Sequence, residues 1–211
     1  MIRYQLALLA HSQRYLPPVL AFLVVLGILY SDPGGPPTPE FAVSAGAMLV
    51  LASWLTIALV DAEDPVQRLI TLTHARRASR VVGGVIAAVL AFCGLLTVLS
   101  LVLSVVVHHG ESARGLGLGL IAHVACALTG TAIGLPCSRL LVPRIGYTVL
   151  LALAVLILVV RAPWLPLVNP MLRALTDNGR GWTPVLAGLL ASAVALTASG
   201  TIMTVSLRRR S

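Results

Sequence analysis

Imidazoles beside carboxylates can hold metals or move protons, and His108, His109 and Glu111 bring two such rings close to one acid, with His123 further along the chain. A metal site needs about four ligands at defined spacing, and no such set is apparent. The plainer reading is that His108 and His109 are solvated at the end of an apolar run, while His123 sits neutral and hydrogen-bonded inside the next one. Gly115, Gly117 and Gly119 match a phosphate cradle by letter only, because no strand precedes them and an apolar run follows. All fifteen basic residues are arginine. A Walker loop requires lysine, so the chain is not expected to hydrolyse ATP by that route, nor to bind a cofactor of its own. The acids Asp32, Glu40, Glu111 and Asp177 are scattered among connecting segments, and no Ser/His/Asp constellation falls on one face. Cys93, Cys126 and Cys137 form no C-x-x-C pair and read as small apolar packers.

The elements that carry these residues follow from composition. Of 211 residues, 58% are hydrophobic and 10% charged, far from the roughly 25% charged of a soluble domain. Apolar blocks without period-two polar alternation satisfy their backbones in lipid as helices, so an all-α polytopic membrane protein is expected. A helix needs about 20 residues to cross the hydrocarbon. Six segments approach that length: Leu16–Tyr30, Phe41–Val60, Val81–Val107, Leu116–Leu135, Ile145–Val160 and Pro184–Leu207, the first and fifth being short. The formal charge of +8 has no aromatic-studded basic face to suit nucleic acid, and the arginines gather at the ends of apolar runs. With both termini cytoplasmic, eleven of the fifteen arginines lie inside, which orients the chain in the cell membrane. The N-terminal run ends in GILYSDPGG, without small residues in an A-x-A-like pattern, so cleavage as a signal peptide is not expected.

The longest inner stretch, DAEDPVQRLITLTHARRASR from Asp61, carries its own helix signals. Asp64 and Pro65 form an N-cap and first-turn pair, Glu63 and Asp64 suit the positive end, and Arg76 and Arg77 suit the negative end. Val66, Leu69, Ile70 and Thr73 recur at helical steps, which predicts an amphipathic helix of about three turns, too short to span. Its residues fit either the inner leaflet or a groove on a cytoplasmic partner. At the front, residues 1–15 read as an interfacial helix that Pro17 and Pro18 break from the first span. Residues 161–183, with a helix start at Asn169 and Pro170, read as an outer loop or a re-entrant hairpin.

Small residues mark close approaches between spans. Gly115 with Gly119, Gly130 with Gly134, and Gly188 with Ser192 are small-xxx-small pairs, read as helix packing within the protomer or across a dimer.

An interfacial N-terminal helix, six spans, a short polar helix beginning EDPVQRL after the second span and a structured outer turn before the sixth resemble the ABC-2 type permease family. The likeness covers nearly the whole chain as a layout, and its local match is Glu63 to Ser79. It implies that the inner segment is a coupling helix, with Glu63, Asp64, Gln67, Arg68, Leu69, Leu72, Arg76 and Arg77 meeting an ATPase subunit that binds ATP and Mg. It also implies a second permease copy or a related chain across the translocation route. The expected activity is export of a hydrophobic or amphiphilic substrate. A non-transporting membrane scaffold and a subunit similar to the haem-exporter membrane chain are the competing readings.

Overall fold

The computed structural model describes residues 2–32, 34–63, 78–108, 112–138, 145–163, 165, 167–177 and 182–210, the last three of these and residues 78 and 145 by backbone alone. Within them the chain is all-helical. The elements are α1 (Ile2–Ser12), α2 (Leu16–Leu29), α3 (Pro37–Val60), α4 (Ala78–His108), α5 (Ala113–Gly134), α6 (Ile145–Arg161), α7 (Asn169–Thr176) and α8 (Trp182–Arg210).

Four of these are long and apolar enough to cross a membrane: α3, α4, α5 and α8. A fifth crossing arises if α1 and α2 count as one bent unit, the two meeting at 83°. By itself α2 has 14 residues, a rise of about 21 Å against a hydrocarbon layer of about 30 Å. The apolar helix α6 has 17 residues and is also short.

Several boundaries move outward from the apolar runs for local reasons. Helix α3 begins at Pro37 rather than Phe41. The first-turn N–H groups have no intrahelical acceptor, so Pro37 and Pro39 cost nothing there, and Glu40 becomes a helical residue rather than part of a loop. Helix α5 begins at Ala113 because Ser112 caps it, its Oγ accepting the Gly115 N–H at 3.1 Å. The break between α1 and α2 lies earlier than Pro17 and Pro18. Gln13 takes a positive φ of 52°, and both prolines sit in the first turn of α2.

The core is the α3–α5 pair, with α8 packed on α5 and α4 closing a second side. Lipid tails are as apolar as leucine, so close van der Waals contact must hold such helices together. Gly130 supplies it: a Cβ there would overlap the Leu49 carbonyl and come within 2.8 Å of Ala52 Cβ. At Gly134 a Cβ would fall 2.6 Å from the Ser53 carbonyl oxygen and from Thr56 Cβ. Hydroxyls add bonds between spans. Thr129 Oγ1 lies 2.8 Å from Ser192 Oγ, which donates to the Gly188 carbonyl at 2.7 Å, and Ser199 donates to the Ala132 carbonyl at 2.8 Å.

Helix α7 is drawn inside rather than laid over the end of the bundle. Its Met171 and Leu175 are buried, and Leu172 approaches Gly46 of α3. A Cβ at Gly188 would stand 2.8 Å from the Leu167 carbonyl, and Gly188 lies six residues into α8, a depth of about 9 Å along the helix. Helix α6 sits at the edge, with Leu150, Leu153 and Ile157 facing outward.

Candidate functional site

Two polar clusters that include carboxylates stand at the two ends of α3. The first surrounds the start of the 64–77 connection. Asp61 closes α3, its N–H bonded to the Ile57 carbonyl at 2.9 Å, and Glu63 follows two residues later. Glu63 is only 8% exposed because α1 folds across it. The amide of Gln5, itself buried, donates to Glu63 Oε1 at 3.3 Å. Arg14, just past the end of α1, donates to the Asp61 carbonyl at 3.2 Å.

The elbow that permits this is local. Ser12 Oγ donates back to the Leu9 carbonyl at 2.9 Å, Gln13 reverses the chain in the left-handed region, and the Leu16 N–H returns to the Gln13 carbonyl at 3.1 Å. Tyr15 then locks the turn edge-on against Phe92 of α4, with ring centroids 5.8 Å apart. Helix α1 is thereby held nearly at right angles to α2, in contact with α3 and α4.

Of the eight residues expected to face a partner, Glu63 is in this cluster. Asp64, Gln67, Arg68, Leu69, Leu72, Arg76 and Arg77 lie outside the described residues, while Ser79, the last residue of the sequence match, belongs to the first turn of α4.

The second cluster is at the opposite end. Glu40, in the first turn of α3, is buried, and its Oε2 lies 3.4 Å from Nε2 of His108. That separation is longer than a well-formed hydrogen bond. His108 Nδ1 faces the Ser104 carbonyl at 3.2 Å. A carbonyl only accepts, so Nδ1 carries a proton. Tyr30 lies edge-on to the His108 ring at 6.1 Å and shares a 3.2 Å hydrogen bond with Ser100. Ser100, Ser104 and His108 thus form one buried polar stripe along α4. The turn before α3 covers the carboxylate: a Cβ on Gly35 would stand 2.5 Å from Glu40 Oε1.

This arrangement corrects two expectations. His108 is not solvated, its side chain being 4% exposed, and Glu40 is not a stray loop acid. Ser100, Ser104 and His108 recur at four-residue steps, which was the available signal, but nothing in the sequence named the acid that meets them. His109 and Glu111 lie outside the described residues. His123 is fully buried, donates from Nδ1 to the Gly119 carbonyl at 2.8 Å, and meets Phe41 edge-on at 6.3 Å. Gly119 is where that phenyl ring seats, since a Cβ would come within 2.9 Å of it. Gly115 is buried behind the Ser112 cap. Among the described residues, no three His, Cys, Asp or Glu side chains gather as a metal site.

Between α5, α6 and α8 lies an apolar cleft of about 300 Å³, lined by residues that include Ile133, Leu151, Val155, Val159 and Ala195. No protein-family model, curated protein or solved structure matches the chain.

Proposed function

We propose that this chain is the membrane permease subunit of an ATP-driven exporter of the ABC-2 type, with six crossings formed by α2, α3, α4, α5, α6 and α8. Residues 64–77 form its cytoplasmic coupling segment, and both termini face the cytoplasm at the plasma membrane. Separate ATPase subunits supply the energy, and a second copy or a related chain completes the translocation route.

The observation that carries this reading is the pair of bonds from Gln5 to Glu63 and from Arg14 to Asp61. They tie an interfacial helix to the entrance of the 64–77 connection. A force on that connection then reaches α1, and through α1 both α3 and α4. Rocking of packed helices about such a point is an established way to alternate between two openings. The apolar cleft beside α6 supports a hydrophobic or amphiphilic cargo, which could enter from the bilayer.

Copurification with ATPase measurement tests the reading. A tagged chain should recover a subunit bearing Walker motifs, and reversing the charges of Arg68, Arg76 and Arg77 should abolish stimulation of that ATPase while leaving the permease folded. Recruitment of a protein without nucleotide-binding motifs, with no ATPase effect, would instead identify a scaffold.

A further inference from the structure

Where α1 crosses the start of α4 there is an open cleft of about 580 Å³, lined among the described residues by Ile2, Arg3, Arg80, Gly83 and Gly84. Its size falls within the usual range for small-ligand sites, about 300 to 1,000 Å³. We infer that this cleft binds a phosphate anion carried by the headgroup of an anionic phospholipid, held between Arg3 and Arg80 over the face of Gly83. The inference goes beyond the transport reading and needs only the membrane placement of α4.

Three observations converge. Arg80 directly precedes the apolar stretch of α4, a helix that qualifies as a membrane span from Ser79 to His108, and so it stands at headgroup depth. Arg3 comes from a different element, α1, which the elbow turns across the end of α4. Both arginines are exposed, and none of the described lining residues is acidic. Arg80 already has a partner within the protein, but a guanidinium carries five N–H donors and matches phosphate oxygens in pairs.

Gly83 keeps the floor of the two-arginine cleft open. A Cβ there would meet nothing within 4 Å and the residue is exposed; the same holds for Gly27, Gly94 and Gly146, but of these four it is Gly83 that lines the cleft with Arg3 and Arg80.

Binding can be measured on the full chain in detergent, using dioleoylphosphatidylglycerol, dioleoylphosphatidylcholine and inorganic phosphate at matched ionic strength. Phosphatidylglycerol should bind more tightly than phosphatidylcholine, and millimolar phosphate should not displace it. Arg3→Gln with Arg80→Gln should weaken phosphatidylglycerol roughly thirty-fold. Gly83→Leu keeps both charges, fills the cleft from an exposed position, and should weaken binding about tenfold. Lipid-free melting of each variant is read alongside. Arg3→Gln alone, on an exposed side chain, should give a partial loss without altering α4. Equal binding of the two lipids, displacement by inorganic phosphate, wild-type affinity in folded Gly83→Leu, or wild-type affinity in Arg3→Gln would each overturn the inference.

Discussion

Glu40 and His108 face each other across the α3–α4 boundary, Oε2 to Nε2 at 3.4 Å, with both side chains at least nine-tenths buried. His108 Nδ1 faces the Ser104 carbonyl, which leaves Nε2 turned toward the carboxyl group. Replacing the acid by its amide supplies a donor for Nε2. Glu40→Gln should keep the fold, whereas His108→Leu takes one buried contact away from the Glu40 carboxyl group and should cost more, about 1 to 3 kcal/mol. Melting of the two variants in the same detergent checks the order.

The α3–α5 contact predicts a steep size dependence. Gly130 faces the Leu49 carbonyl and Gly134 faces that of Ser53, both main-chain groups that cannot rotate aside. Gly130→Leu should lower stability by about 3 kcal/mol or more through overpacking. Removing the hydroxyl in Thr129→Val, which disturbs the bond to Ser192, should cost only about 0.6 kcal/mol, a typical value for such bonds in membranes. Thermal melting of the two variants separates main-chain approach from hydroxyl bonding as the stronger support.

Gly35 predicts a further effect at the opposite end of α3 from Glu63. A methyl group there would press on Glu40 Oε1, so Gly35→Ala should loosen the turn over the Glu40–His108 pair. Hydrogen exchange across residues 100–108 of α4 should rise relative to wild type. Gly34→Ala, whose added carbon would stand at an ordinary 3.4 Å from Asp32 Oδ1, should leave exchange near wild type.

The α1 clamp makes a prediction about coupling rather than stability. Gln5→Leu keeps the apolar volume of α1 but removes the donor to Glu63. In the proposed exporter it should lower permease-stimulated ATPase activity roughly tenfold, the equivalent of one hydrogen bond to a carboxyl group. Arg14→Gln, at an exposed bond, should have a smaller effect. Comparison of stimulated and basal ATPase rates for both variants checks this.

Much of the architecture was legible because a bilayer demands long uninterrupted helices. The runs that became α3, α4, α5 and α8 could hardly form anything else. Their ends were less legible, since Pro37 and Pro39 read as loop residues until their place in the first turn of α3 is known. Side-chain partnerships between distant elements were not legible at all. Gln5 meets Glu63, and Glu40 meets His108, only because of the 83° elbow and the packing of α3 on α4. Sequence periodicity records which face of one helix is polar, but not which other helix that face will meet. Gly83 illustrates the same limit: as a letter it resembles Gly130, and only the space around each separates an internal contact from an open floor.

The central claim is that residues 64–77 receive movement from an ATPase and pass it to the bundle through α1. Site-specific cross-linking from Gln67 or Arg68 in native membranes, followed by identification of the captured chain, tests it most directly. The account predicts a nucleotide-binding subunit whose cross-link yield changes when ATP is added. Cross-links to phospholipid alone, unchanged by ATP, would contradict it.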